Sequence, residues 1–165
     1  MGVRRAAPGV LTLRFQVEGD LARVHVPPPG PACIAHRLWE HTCCEAFVAL
    51  EGATGYHEFN FAPSAAWAAH AFRGYRAGIL LDDQTLAPGI TVQHTADRLT
   101  LDALVPLARL SPRHVVGSLR LALAAVIEEA GGRLSYWALR HPPGKPDFHH
   151  DDAFALPLSP PGATC

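Results

Sequence analysis

The stretch Cys43–Phe61, CCEAFVALEGATGYHEFNF, decides the fold. Residues 43–50 and 56–61 read as two strands, with Glu51-Gly52-Ala53-Thr54-Gly55 between them as the turn. Side chains alternate along a strand with a period of two. Tyr56, Glu58 and Asn60 therefore share one face, and His57, Phe59 and Phe61 share the other. The two phenylalanines mark the second face as the packed one. On the preceding strand Cys44, Ala46, Val48 and Leu50 read as the core side. Hairpin pairing then sets Glu45 and Phe47 beside Glu58, and the vicinal Cys43 and Cys44 point in opposite directions.

Further strands surround this pair. Val10–Val17 (VLTLRFQV) and Leu21–Val26 (LARVHV) alternate on either side of Glu18-Gly19-Asp20 and predict a hairpin. The run Pro27–Pro31 (PPPGP) is a stiff loop that no sheet interior accepts. Ile90–Thr95 and Arg98–Val105 pair through Ala96-Asp97, and Arg133–Arg140 and Phe154–Leu158 close the chain. Ser64–Phe72 fits helix or strand. So does Leu119–Glu129, where good helix formers coincide with alternation of Leu119, Leu121, Leu123 and Ala125. Gly131-Gly132 suits a helix end or a hairpin turn, and the short spacing to the next strand favours the strand. Many short strands separated by turn signals predict an all-β, two-sheet antiparallel β-sandwich, jelly-roll-like, as a single domain over residues 1–158. The remainder, SPPGATC at 159–165, reads as a flexible tail.

Composition limits the function classes. The 165 residues are 48% hydrophobic and 18% charged with net charge −1, which excludes disorder as the main state. That near-neutral balance argues against nucleic acid as partner, because phosphate binding needs a basic surface. No apolar run reaches the ~18 residues of a membrane span. The N-terminal MGVRRAAPGVLTLRF lacks the uninterrupted apolar stretch of a secretory signal, so a cytoplasmic protein is expected. Cys33, Cys43, Cys44 and Cys165 form no CxxC pair, and buried free thiols are the expectation. GxSxG, GxGxxG and Walker A patterns are absent.

Two regions hold residues suited to chemistry. The first is the polar strand face with Glu45, Tyr56, Glu58 and Asn60, where carboxyls and an amide beside aromatics suit a polyol or a cation. Routine solvated polarity explains such a face equally well. Glu45 and Glu58 also fit the ~5–9.5 Å spacing of a glycosidase pair, as do many inert pairs. The second region is Trp137–Asp152, WALRHPPGKPDFHHDD, a Pro-rich loop with His141, Lys145, Asp147, His149, His150, Asp151 and Asp152. If extended, Asp147, His149 and Asp151 share a face and make a candidate divalent-metal site, although a plain surface loop is the commoner origin of such a sequence. Arg73 and Arg76, around Gly74-Tyr75, are placed to grip an anion, or simply flank a surface turn.

The strings RLWEHTCCEAFVAL, YHEFNFAPSAAWAAHAFRGYRAG and LSYWALRHPPGKPDFHH resemble the bacterial DOMON-like domains related to type 9 carbohydrate-binding modules, over about Arg37 to Leu156. The resemblance implies a jelly-roll β-sandwich, a strand at Leu119–Glu129 and a hairpin turn at Gly131-Gly132. Related domains bind sugar or haem. For sugar it implies Trp137 and Tyr56 as stacking platforms, hydrogen bonds from Glu45, Glu58 and Asn60, and the loop from His141 through Lys145 to His149 over the site. Haem-binding relatives use Met and His, and here Met1 is the only methionine, so haem would need bis-His ligation, with His149 or His141 as a candidate. The resulting expectation is a non-catalytic module for a saccharide-like small molecule, acting as monomer or homodimer. The alternatives are a metal- or haem-binding protein using loop 141–152, and a protein-interaction module docking through an edge strand.

Overall fold

The computed structural model describes residues 1–7 and 9–160. Residues 161–165, most of the expected tail and Cys165 with it, lie outside the described residues. The chain forms two antiparallel sheets facing one another, a β-sandwich. The smaller sheet holds β1 (Gly2–Ala7), β2 (Val10–Glu18), β7 (Gly89–His94) and β8 (Arg98–Pro106) in the order β1-β2-β8-β7. The larger holds β3 (Cys43–Leu50), β4 (Tyr56–Phe61), β5 (Trp67–Phe72), β6 (Gly78–Leu80), β9 (Leu119–Glu128) and β10 (Leu134–Ala138) in the order β10-β9-β3-β4-β5-β6. A short β11 (Leu156–Leu158) also pairs with β9, beyond the end of β10. Among the described residues no helix is long and apolar enough to cross a membrane.

The core lies between the sheets. Leu11, Leu13 and Phe15 of β2 and Leu101, Ala103 and Val105 of β8 meet Ala46, Val48, Phe59 and Phe61, with the rings of Phe15 and Phe61 6.3 Å apart. Leu119, Leu121, Leu123, Ala125 and Ile127 complete it, so the ambiguous segment is a strand. Its other face is also buried, through Ala122, Ala124 and Val126. Burial on both faces explains the near-continuous apolar run that makes the segment look helical in sequence. The Gly131-Gly132 turn joins β9 to β10 as a hairpin, with Gly132 at φ 80°. Ser64–Phe72 resolves into a turn followed by β5.

Several expectations are corrected. Val10–Val17 and Leu21–Val26 are not a hairpin: β2 pairs with β1 on one side and β8 on the other. Asp20 accepts a hydrogen bond from the Ala22 N–H and starts a 3-10 turn over Leu21–Arg23, with Leu21 buried. The alternation in LARVHV thus marks a chain crossing the end of the sandwich, and only Val24 bridges a strand residue's neighbour, Glu129. β1, β6 and the short helices α1 (Leu107–Leu110) and α2 (Pro112–Val116) carry too little periodicity to be read. Cys43 and Cys44 are buried free thiols as expected, whereas Cys33 is exposed.

Phe59 is fully buried and stacks parallel to Phe61 at 6.3 Å. Phe59→Ala is expected to cost about 3–5 kcal/mol, since neither sheet can collapse into the void. Urea unfolding measures this; a loss under ~1 kcal/mol contradicts the core as described.

Candidate functional site

The outward face of the larger sheet is polar at its centre. The β3–β4 register sets Glu45 opposite Asn60 and Phe47 opposite Glu58. On the far side of β4, His70 of β5 faces Glu58. The segment after β10 folds back over part of this face and seats Phe148 and Phe154 in a second apolar cluster with Phe47, Ala122, Ala124 and Val126. The uncovered part is a cleft of about 360 Å³ lined by Glu45, Glu58, His70, Arg76, His149 and the aromatics Trp39, Phe72, Tyr136 and Phe148. Trp39 and Tyr136 stand at its rim, 41% and 44% exposed.

The floor is desolvated. Glu45, Glu58 and Asn60 are 3%, 5% and 0% exposed. Asn60 Nδ2 donates to Glu58 Oε1 at 2.6 Å, and its Oδ1 lies 3.7 Å from the Cys43 thiol. Burial holds the Glu45 carboxyl well above the usual range, and the neighbouring Glu58 charge pushes it further, against a smaller pull from Arg76. Burial raises Glu58 too, offset in part by the Asn60 hydrogen bond and Arg76. Both carboxyls therefore hold their protons to higher pH than they would in solvent.

The histidines at the floor are not cations at neutral pH. His149 Nε2 lies 3.7 Å from Glu58 Oε2, and His70 Nδ1 lies 3.9 Å from Glu58 Oε1. Burial, with Arg76 nearby, lowers His149 to about 4; burial and His36 lower His70. The Tyr56 hydroxyl accepts the Arg76 backbone N–H at 3.3 Å and is hydrogen-bonded to His149 Nδ1 at 2.9 Å. With that hydroxyl as donor to Nδ1, the imidazole proton sits on Nε2, toward Glu58. Asp147 anchors the covering segment by accepting from Tyr75 Oη (2.6 Å), Arg76 Nη2 (2.9 Å) and the His149 N–H (3.1 Å). The Arg76 guanidinium is thereby ion-paired within the protein.

The structure thus brings Glu45, Glu58, Asn60, Tyr56 and His149 together. Tyr56 has a different place from the stacking platform expected of it: its ring is buried, 4.6 Å from and parallel to Phe72, and only its hydroxyl serves the site. Trp137 is not at this cleft. Opposite Ala125 of β9, it sits on the other face of β10, while Tyr136, opposite Val126, takes the rim position. Trp137 instead lines a separate groove with Met1, Leu21 and Ile127. His141 and Lys145 are exposed and do not line the cleft. Asp147, His149 and Asp151 lie on a turn and a 3-10 segment instead of an extended chain, so their shared face is lost. Asp151 accepts from Arg120 Nη2 at 3.0 Å. Trp39, His70 and Tyr136 escape the sequence reading, though the parity of β10 would give Tyr136 once its pairing with β9 is known.

No family model matches the sequence, and no curated protein does. Among solved structures, the crystal structure of a "putative carbohydrate-binding protein" from Bacteroides uniformis ATCC 8492 is similar, with a TM-score of 0.61. The match covers 88% of this chain and 71% of that one at 13% identity. What the two share is the fold. An open sandwich face in this chain therefore needs its own chemistry to say what it holds.

A carboxyl with a raised folded-state pKa stabilises the protein below its unfolded pKa, and that contribution is lost as pH rises through the folded value. Glu58→Gln keeps shape and an acceptor for Asn60 but cannot ionise. It is expected to be more stable than wild type at pH 8 by about 1–3 kcal/mol, with the gap closing toward pH 4. Denaturant titrations at the two pH values check this; a variant less stable than wild type at pH 8 contradicts a desolvated Glu58.

Proposed function

We propose that the cleft is the binding site of a small carbohydrate-like ligand and that the protein is a non-catalytic binding module. The observation that carries this reading is the pairing of a buried Glu45–Glu58 floor, its Glu58 bonded to the fully buried Asn60, with a rim of half-exposed Trp39 and Tyr136. A sugar has apolar C–H faces that suit aromatic rings and hydroxyls that need fixed polar partners. A carboxyl that keeps its proton both donates and accepts, and the Asn60 amide holds Glu58 in place. A neutral ligand fits best, because Arg76, the guanidinium lining the cleft, is already paired with Asp147. The volume sits at the small end of the ~300–1,000 Å³ range of ligand pockets, suited to one terminal sugar unit.

Binding is favoured over hydrolysis by the arrangement of the acids. Glycosidases flank the scissile bond with two carboxyl groups, an acid on one side and a base or nucleophile on the other. Here Glu45 and Glu58 stand on adjacent strands of one floor, on the same side of anything in the cleft. The resemblance of residues 37–156 to DOMON-like domains related to type 9 carbohydrate-binding modules points the same way, as does the description of the structural neighbour. Within this reading the segment 141–149 is a wall anchored through Asp147 and His149, with Lys145 at its exposed tip.

Calorimetric titration with a panel of mono- and disaccharides at millimolar concentration tests the proposal. At least one sugar is expected to bind saturably, and Trp39→Ala and Glu58→Gln are each expected to weaken it about tenfold or more, the equivalent of ~1.4 kcal/mol. Trp137→Ala is expected to leave affinity unchanged. No saccharide binding to folded protein overturns the proposal, and loss of binding in Trp137→Ala alone moves the site to the groove across β10.

A further inference from the structure

A second cluster lies apart from the floor just described. His25, His41 and Glu128 come from three separate segments, with Glu128 103 residues from His25 and 87 from His41. Their ligand atoms all lie within 4.8 Å of one another. Both imidazole Nδ1 atoms point at the same carboxylate oxygen, Glu128 Oε2, each at 2.8 Å. The two rings are 6.0 Å apart and nearly perpendicular. From this convergence we infer that His25, His41 and Glu128 form a divalent zinc-class metal site, with water completing the coordination.

The backbone beneath the three side chains is fixed independently of them. The His25 N–H donates to the Glu128 carbonyl at 2.7 Å. Thr42, 1% exposed, donates its hydroxyl to the His25 carbonyl at 2.6 Å and accepts the Glu128 N–H at 3.1 Å. A single buried hydroxyl thus ties all three segments, so the ligands are aimed by a prebuilt frame. Zinc bonds of ~2.0–2.2 Å in a tetrahedron put ligand atoms roughly 3.3 Å apart. The pairs now at 2.8 Å need to separate by only about half an ångström, a small turn for half-exposed imidazoles. Two nitrogens and one carboxylate select zinc-class ions over calcium or magnesium, which prefer all-oxygen shells. The side chains are 52%, 60% and 16% exposed, which leaves the outer side of the site open to water.

The site also has a structural consequence. The chain between the two histidines contains Pro27–Pro31 and the 3-10 turn Leu38–Glu40, which holds Trp39 at the cleft rim. A metal on His41 and His25 pins both ends of this segment to the end of β9. The metal is therefore a staple for the loop that supplies the cleft's indole. Only this last step rests on the proposed ligand site; the metal site itself does not.

Tag-free, chelator-treated protein at pH 7.5 is titrated calorimetrically with Zn²⁺ alone. One equivalent is expected to bind at micromolar protein concentration and to raise the unfolding temperature, because a ligand that binds only the folded state stabilises it. Co²⁺ in the same site is expected to develop the visible absorption of a low-symmetry nitrogen–oxygen set, and Ca²⁺ and Mg²⁺ are not expected to compete. His25→Ala and His41→Ala, both at exposed positions, are each expected to lower Zn²⁺ affinity at least ~10-fold, and Glu128→Gln similarly with shape retained. His150→Ala is expected to change nothing. No saturable binding, or binding unchanged in the His25→Ala/His41→Ala double variant, overturns the site. Because no sugar enters this titration, its failure is distinct from failure of the saccharide proposal.

Discussion

Asn60 sits opposite Glu45 across the β3–β4 ladder and donates its amide to Glu58 two residues back along its own strand. That one bond holds a carboxyl upright on a sheet face from which water is largely excluded. Everything else at the cleft is arranged around it: His70 on one side, His149 on the other, and Glu45 diagonally across. A one-residue slip of β4 against β3 would send Glu58 and Asn60 into the sandwich core and Phe59 to the outside. The packing of Phe59 and Phe61 against β2 is therefore what keeps Glu58 facing the cleft.

Burying two carboxyls on one floor opposes folding unless they hold protons or find partners. Among the described residues one direct hydrogen bond reaches the pair, from Asn60, and the imidazoles of His70 and His149 flank Glu58. Arg76, ion-paired with Asp147, lowers both carboxyls by less than burial raises them. A floor built for stability alone would be apolar, as the rest of this face is at Ala122, Ala124 and Val126. Groups kept partly unsatisfied under an open cleft are those a ligand can satisfy.

The covering segment shows how a sheet face becomes a cleft. Phe148 and Phe154 anchor it to the apolar half of the face, and Asp147 ties it to the turn after β5 through Tyr75 and Arg76. The acid-rich loop that suggests metal chemistry in the sequence is thus engaged in holding the wall in place. The histidines and acid that do converge are His25 and His41, at the two ends of the segment 25–41, and Glu128 at the end of β9.

The alternation in residues 43–61 by itself determined two strands, the outward face of Glu45, Glu58 and Asn60, and the opposed directions of Cys43 and Cys44. Those follow from the period of two, which is a property of the local backbone. The same logic failed at LARVHV, where an Asp20 cap turns the chain, and at Trp137, because parity says which residues share a face but not which face meets the cleft. Only the tertiary structure decided that Tyr136 faces the rim, that Tyr56 is buried against Phe72, and that Trp39 stands beside His70. It also decided the meeting of His25 and His41 with Glu128. Such contacts depend on which strands become neighbours and how loops fold over them, and sheet packing between distant segments sets both, leaving no local pattern in the chain.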